Sequence, residues 1–224
     1  MKVALMLTGL ARKVEEGYEN YWKYIIDNHD VDFYLHCWKD EEWEKVEEVY
    51  QNPKFIHVQK PFKFTEYRKG IESPNDDKSR PLEEYDVWGN FRTFPMFYSW
   101  EETYNALRVT RHKYDCVIRS RYDLGADVDI DINKLDLSKI NISNHHWGGS
   151  PITDDNLCIL NQDNAEKLFS DIFTEYIEHS KKIGYIEFAE KNFMNILKRK
   201  NLYDLVHKSD DLPFQLLRDN KLWY

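Results

Sequence analysis

Glycine is scarce in this chain, eight in 224 residues, and neither the GxxxxGK signature of a P-loop nor GxGxxG occurs. P-loop NTPases and the usual dinucleotide-binding Rossmann enzymes are thereby disfavoured. No GxSxG elbow and no HExxH pair is present, and His145-His146 lacks a third ligand at metal spacing. A serine hydrolase of the elbow type and a zinc hydrolase fall away with them. Cysteine is limited to Cys37, Cys116 and Cys158, with no CxxC pair. Each sits in or beside an apolar run, so they read as buried free thiols. With no signal peptide ahead of the first strand, they predict a reducing, cytoplasmic setting. Basic residues are outnumbered, 31 Lys plus Arg against 40 Asp plus Glu. General adhesion to nucleic acid or to an anionic membrane is not expected, and any phosphate must be held locally. No apolar stretch approaches the ~20 residues that cross a bilayer, so no transmembrane segment is expected.

What is present is an ordinary globular mixture, 42% hydrophobic, 32% charged and 15% aromatic. It reads as one large domain spanning residues 1–224. Val3 to Leu7 is a continuous apolar run ended by Thr8-Gly9, the pattern of a strand buried on both faces. Tyr18, Tyr21, Trp22, Ile25 and Ile26 then recur at helical spacing between Val14 and Asn28, and Val31 to Trp38 reads as a second strand. A β-α-β unit implies a parallel pair. Asp40 caps a short predicted helix that ends near Tyr50, and Lys54 to Val58 is a third strand. Residues 60–90, rich in proline, glycine and charge, predict a long loop or lid. A helix over Phe94 to Tyr114 leads into a strand over Asp115 to Arg121. Short strands follow at Ile140 to Ser143 and Leu157 to Leu160. Two long helices are expected, Asp163 to Lys182 and Tyr185 to Lys200. A strand from Tyr203 to His207 and a short helix beginning near Pro213 complete the pattern. The fold class is α/β, with a mostly parallel central sheet flanked by helices.

In such sheets ligands sit beyond the carboxyl ends of the strands. The first strand ends in Thr8-Gly9-Leu10-Ala11-Arg12, where Gly9 lets backbone approach a ligand and Arg12 can reach a phosphate or base; a tight turn with a surface arginine is the alternative. Arg119-Ser120-Arg121-Tyr122-Asp123 is the strongest local signal. Alternation puts Arg119, Arg121 and Asp123 on one side, suited to a diphosphate and its metal, with Asp123 as ligand to Mg²⁺ or Mn²⁺. An Arg–Asp ion pair at the sheet edge is the competing reading. Asp127, Asp129 and Asp131 lack the glycine and glutamate of an EF-hand and read as solvated alternation. Asp154-Asp155, downstream of Gly148-Gly149-Ser150, offers a base or a hold on a sugar hydroxyl, against a turn with two solvated aspartates. His207, ending the last predicted strand, is placed to complete the coordination of a metal on Asp123, or else is structural.

Val3 to Arg12, with its Gly9 and Arg12, and Val31-Asp32-Phe33-Tyr34-Leu35-His36-Cys37-Trp38 are similar to the first two strands of the small GT-A-type glycosyltransferases of bacterial surface-polysaccharide loci and large DNA viruses. Met96-Phe97-Tyr98-Ser99 is similar to a helix start there, Tyr114 to Leu124 resembles that family's most recognisable segment, and Asp154-Asp155-Asn156 resembles its later acidic one. Arg121 stands where the first Asp of a DxD motif would be. The resemblance implies a GT-A-like catalytic domain that moves a sugar from a UDP- or GDP-sugar to a glycan hydroxyl with help from Mn²⁺ or Mg²⁺. Thr8, Gly9 and Arg12 would line the nucleotide, Arg119 or Arg121 with metal-bound Asp123 would stabilise the leaving diphosphate, and Asp154 or Asp155 would deprotonate or position the acceptor. Tyr67, Arg68, Arg80 and Trp88 would belong to a lid. A non-catalytic carbohydrate-binding or assembly protein on the same fold is the alternative, and a sugar nucleotidyltransferase ranks behind it.

Overall fold

β1 (Lys2–Leu10) is buried from Val3 through Thr8 and pairs in parallel on both sides, with β2 (Asp30–Trp38) and β4 (Cys116–Ser120). A strand flanked in this way and covered on both faces must be apolar throughout, which the opening run satisfies. It runs through the turn expected at Thr8-Gly9 to Leu10, because β2 continues to pair with it there, opposite Trp38. Gly9 makes that extension possible: its φ is +120°, a conformation that L side chains rarely adopt.

This computed structural model describes residues 1–39, 42–72, 93–126, 131–144, 154–212, 215–218 and 221–223. A seven-stranded sheet has the order β3-β2-β1-β4-β7-β6-β8, with β3 at Phe55–Gln59, β6 at Ile140–Ser143, β7 at Cys158–Leu160 and β8 at Val206–Ser209. The first four strands are parallel, β7 is antiparallel to both its neighbours, and β8 lies parallel to β6. Alternation along the strands divides the core. Ala4, Met6, Tyr34, Val117 and Leu160 face a layer that includes α4 (Thr93–Thr110), α5 (Gln162–Phe169), α6 (Ile172–Ile183) and α7 (Ala189–Arg199). Val3, Leu5, Leu7, Leu35 and Ile118 face α1 (Val14–Tyr21) and α2 (Glu44–Val49). Among the described residues no helix is long and apolar enough to cross a membrane.

Several expected elements are redrawn. The helix over Val14 to Asn28 is α1 followed by a π-helical turn, Trp22–Ile26. The helix over Asp163 to Lys182 is broken at Ser170-Asp171, where Asp171 leaves helical geometry and receives the Lys200 ammonium. Tyr203–Leu205 is a 3₁₀ turn ahead of β8. The helix expected from near Pro213 is corrected: Gln215–Arg218 (β9) and Lys221–Trp223 (β10) form an antiparallel pair, and β9 also pairs with β5 (Leu124–Gly125). That pairing is with a segment some 90 residues earlier, a contact no local propensity reports. Of the predicted lid, residues 61–72 carry the single turn α3 (Thr65–Arg68). There the Tyr67 ring lies 5.0 Å from that of Phe173 and Arg68 is buried. Arg80 and Trp88 lie outside the described residues, as do Asp40, Asp127, Asp129, His145, His146 and Gly148-Gly149-Ser150.

α1 packs directly against the backbone of the turn after β4, and Gly17 makes this possible. A Cβ at that position would fall 1.8 Å from the Tyr122 carbonyl oxygen. Replacing Gly17 with alanine therefore has to push the helix off the 121–125 turn. We expect Gly17→Ala to cost about 2 kcal/mol or more despite alanine's higher helix propensity, read as a lower urea midpoint.

Candidate active site

β4 ends at Ser120, opposite Leu7, so Arg121 is the first residue past β4, at the level of Thr8, while β1 continues beside β2 to Leu10. The turn that carries Arg121 is fixed from three directions. The Tyr21 hydroxyl donates to the Arg121 carbonyl at 2.6 Å and meets Ser120 Oγ at 2.7 Å. Asn20 accepts from the Ala126 amide at 3.0 Å. The Leu217 amide donates to the Asp123 carbonyl at 2.8 Å, which brings β9 against the turn.

Within this frame Arg121 Nε and Nη2 donate to Asp123 Oδ1 and Oδ2 at 2.7 and 2.9 Å, a two-pronged ion pair. Nη1 lies 3.4 Å from Asn156 Oδ1. Burial works against the Arg121 charge, but the contact with Asp123 outweighs it and the guanidinium holds its proton more tightly than usual. The ion pair considered as an alternative is thus present.

Arg119 does not join it. Its side chain turns into the α4 layer, where the guanidinium carbon sits 3.5 Å from the centre of the Trp100 ring and Nη1 donates to the Asp155 carbonyl. It is 2% exposed. Burial lowers its pKa to about 9, opposed by Asp155, so it stays charged at neutral pH. Its Nε and the Trp100 indole N–H have no hydrogen-bond partner among the described residues.

Asp154 is buried, which departs from the alternative reading of a turn with two solvated aspartates. Asp154 Oδ1 accepts from the Asn156 amide at 2.9 Å and from Asn156 Nδ2 at 2.8 Å. Burial, together with the neighbouring Asp155 charge, pushes its carboxyl up to about 7. Burial likewise raises Asp155, against the pull of Arg119 and Arg121, and the Asp155 charge adds to the burial that raises Glu190 at the start of α7. Arg119, Arg121, Asp123, Asp154, Asp155 and Asn156 thus form one charged seam.

Not every expected residue belongs to it. Thr8 is buried at the seam's edge. Arg12 is exposed and lines a cleft of about 380 Å³ with Lys13, Lys45, Glu15, Glu16, Glu42 and Leu217. Its charges are balanced, three basic and three acidic. His207 is corrected. It lies exposed on the edge strand β8, opposite Asn141, three strands from β4 and at the level of Ile118 rather than beyond the strand ends. It cannot reach a metal on Asp123. Asp131 accepts from the Asn133 amide at 3.1 Å and caps a 3₁₀ turn.

A divalent ion does not fit the described donors. Both Asp123 oxygens face the Arg121 guanidinium, and among the described residues no three His, Cys, Asp or Glu side chains converge as ligands.

Two features escaped the sequence reading. Trp100, inside the helix that the sequence predicts over Phe94 to Tyr114, forms the floor under Arg119. His36, on β2 at the level of Thr8, is fully buried with Nε2 3.0 Å from Gln59 Oε1, and burial lowers its pKa to about 4. The pairing with Gln59 spans two strands and leaves no trace in local spacing.

No protein-family profile and no curated protein matches the chain. Solved structures do, among them two of the glycosyltransferase GlyE of Streptococcus pneumoniae TIGR4, one in its apo form. Both align at 15% identity with a TM-score of 0.50, over 93% and 94% of this chain. The fold is that of a glycosyltransferase. The chain spans 45% of GlyE's length, so the likeness concerns less than half of that protein.

The opposed shifts at Asp154 and His36 make a measurable pair. Asp154 holds its proton more tightly when folded, so its contribution to stability is full below its ordinary value of 3.8 and is lost as pH rises toward 7. His36 binds its proton less tightly when folded, so its contribution is present above 6.5 and lost as pH falls toward 4. Across pH 4 to 6.5 the two slopes cancel in part. Asp154→Asn removes one of them. Its stability relative to the parent should climb with pH across that window by up to roughly 1.4 kcal/mol per unit, measured as urea midpoints at pH 4.5 and 6.5.

Proposed function

We propose that this chain transfers a sugar from a nucleoside diphosphate sugar to a hydroxyl of a glycan acceptor. The observation that carries this reading is the charged seam at the carboxyl ends of β1 and β4, on a fold shared with a glycosyltransferase. It supplies a cation for the charge that builds on the departing diphosphate and a carboxylate for the proton leaving the acceptor.

The acceptor oxygen attacks the anomeric carbon, the bond from that carbon to the diphosphate breaks, and the diphosphate takes the bonding electrons. Arg121 faces that charge. The acceptor's proton passes to Asp154, whose carboxyl, held near 7, is matched to accepting a proton at neutral pH. Arg119 acts at one remove, since its bond to the Asp155 carbonyl fixes the segment carrying both aspartates. Gly9, which has no neighbour within 4 Å of where a Cβ would stand, leaves backbone open to the nucleotide beside Thr8.

The test is a panel of UDP- and GDP-sugars read by thermal shift and by release of the nucleoside diphosphate. A donor at 100 times its Kd should stabilise the fold by about 2.7 kcal/mol. Asp154→Asn should keep that shift and lower turnover by about 100-fold or more. A shift without turnover across the panel would favour the carbohydrate-binding alternative. No shift with any donor would remove the nucleotide-sugar reading.

A further inference from the structure

We propose that Arg121, seated on Asp123, is the built-in cation for the donor's diphosphate, so that a nucleoside diphosphate binds here without a divalent metal ion. The inference rests on the nucleotide-sugar reading above and deepens it.

The first argument is occupancy. A carboxylate at this position is the natural ligand for a divalent ion, but both oxygens of Asp123 are already bonded to one guanidinium at 2.7 and 2.9 Å. A metal ion bound to those oxygens would sit a few ångströms from a fixed positive charge, in a place where little water screens the repulsion.

The second argument is orientation. The Asp123 side chain is 3% exposed and that of Arg121 30%, so the end of the pair that faces a ligand is the cation. Of the five N–H groups of a guanidinium, two are used by Asp123 and one points at Asn156 over 3.4 Å. The remaining donors suit phosphate oxygens, which arginine engages with two N–H groups at once.

Charge balance makes the third argument. One arginine and one aspartate sum to zero, as do two carboxylates and a divalent ion. The pair therefore contributes the same net charge as a metal held by two carboxylates, and here the positive part belongs to the chain. Tyr21, Leu217 and the close packing at Gly17 fix the turn beforehand, so little reorganisation is needed when charge develops.

The experiment is calorimetric titration of UDP and GDP into the parent and three variants, in EDTA and then in MnCl₂. The parent should bind one of them with a Kd that differs by less than about threefold between the two conditions. Arg121→Gln should weaken binding in EDTA by tenfold or more. Because it strands a buried Asp123 charge, it is paired with Arg121→Gln/Asp123→Asn, which removes both charges together and should lose binding to the same extent. Arg121→Asp places two carboxylates two residues apart, and its binding should vanish in EDTA and return with Mn²⁺. Parent binding that requires Mn²⁺, or that survives in EDTA in the double variant, would overturn the inference while leaving the nucleotide-sugar reading in place. Absence of parent binding to either nucleotide in both conditions would remove that reading and the inference together.

Discussion

A guanidinium placed in an apolar layer must be matched by an anion, a carbonyl or an aromatic face, or the fold does not tolerate it. Arg119 imposes this constraint at the centre of the sheet. It stands on β4 directly beside the fully buried Met6 of β1, and two elements meet its demand: α4 with the Trp100 ring, and the segment before β7 with both the carbonyl and the charge of Asp155. A desolvated cation on an indole is worth ~2 kcal/mol, comparable with burying a large aliphatic side chain. Arg119 thereby ties α4, β4 and the aspartate segment together, and it determines where Asp154 and Asp155 lie.

Arg121, two residues on, answers the same constraint differently. It emerges past the last paired position of β4 and finds Asp123 on its own turn. The two arginines are alike in residue type and strand parity, yet one props the site and the other faces what enters it. What separates them is depth in the sheet. Arg119 lies level with Met6, under α4, whereas Arg121 lies level with Thr8, past the end of β4.

The opposite face of the sheet holds the turn in place. α1 lies against backbone at Gly17, and its Tyr21 and Asn20 reach residues 120, 121 and 126. β9 arrives from the C-terminal part of the chain to pair with β5 and bond the Asp123 carbonyl. The turn that presents the cation is thus clamped by chain segments about 100 residues before it and after it, which is how a surface turn acquires the rigidity of a core element.

The sequence by itself determined the strands of the parallel half, their order of appearance and the position of the seam. Continuous apolar runs that end in polar residues leave few other ways to bury β1, β2 and β4, and residues 119–123 and 154–156 carry charge where such runs stop. Tertiary structure decided which charges meet. Whether Asp123 faces solvent or Arg121, whether Asp154 is solvated or enclosed, and whether His207 reaches the site depend on contacts between residues distant in sequence and on the level at which each strand pairs. Local spacing carries no information about either. The C-terminal strands were illegible for the same reason: β9 is a strand because β5 pairs with it, and the free energy of that pairing resides in the partner as much as in the residues of β9 itself.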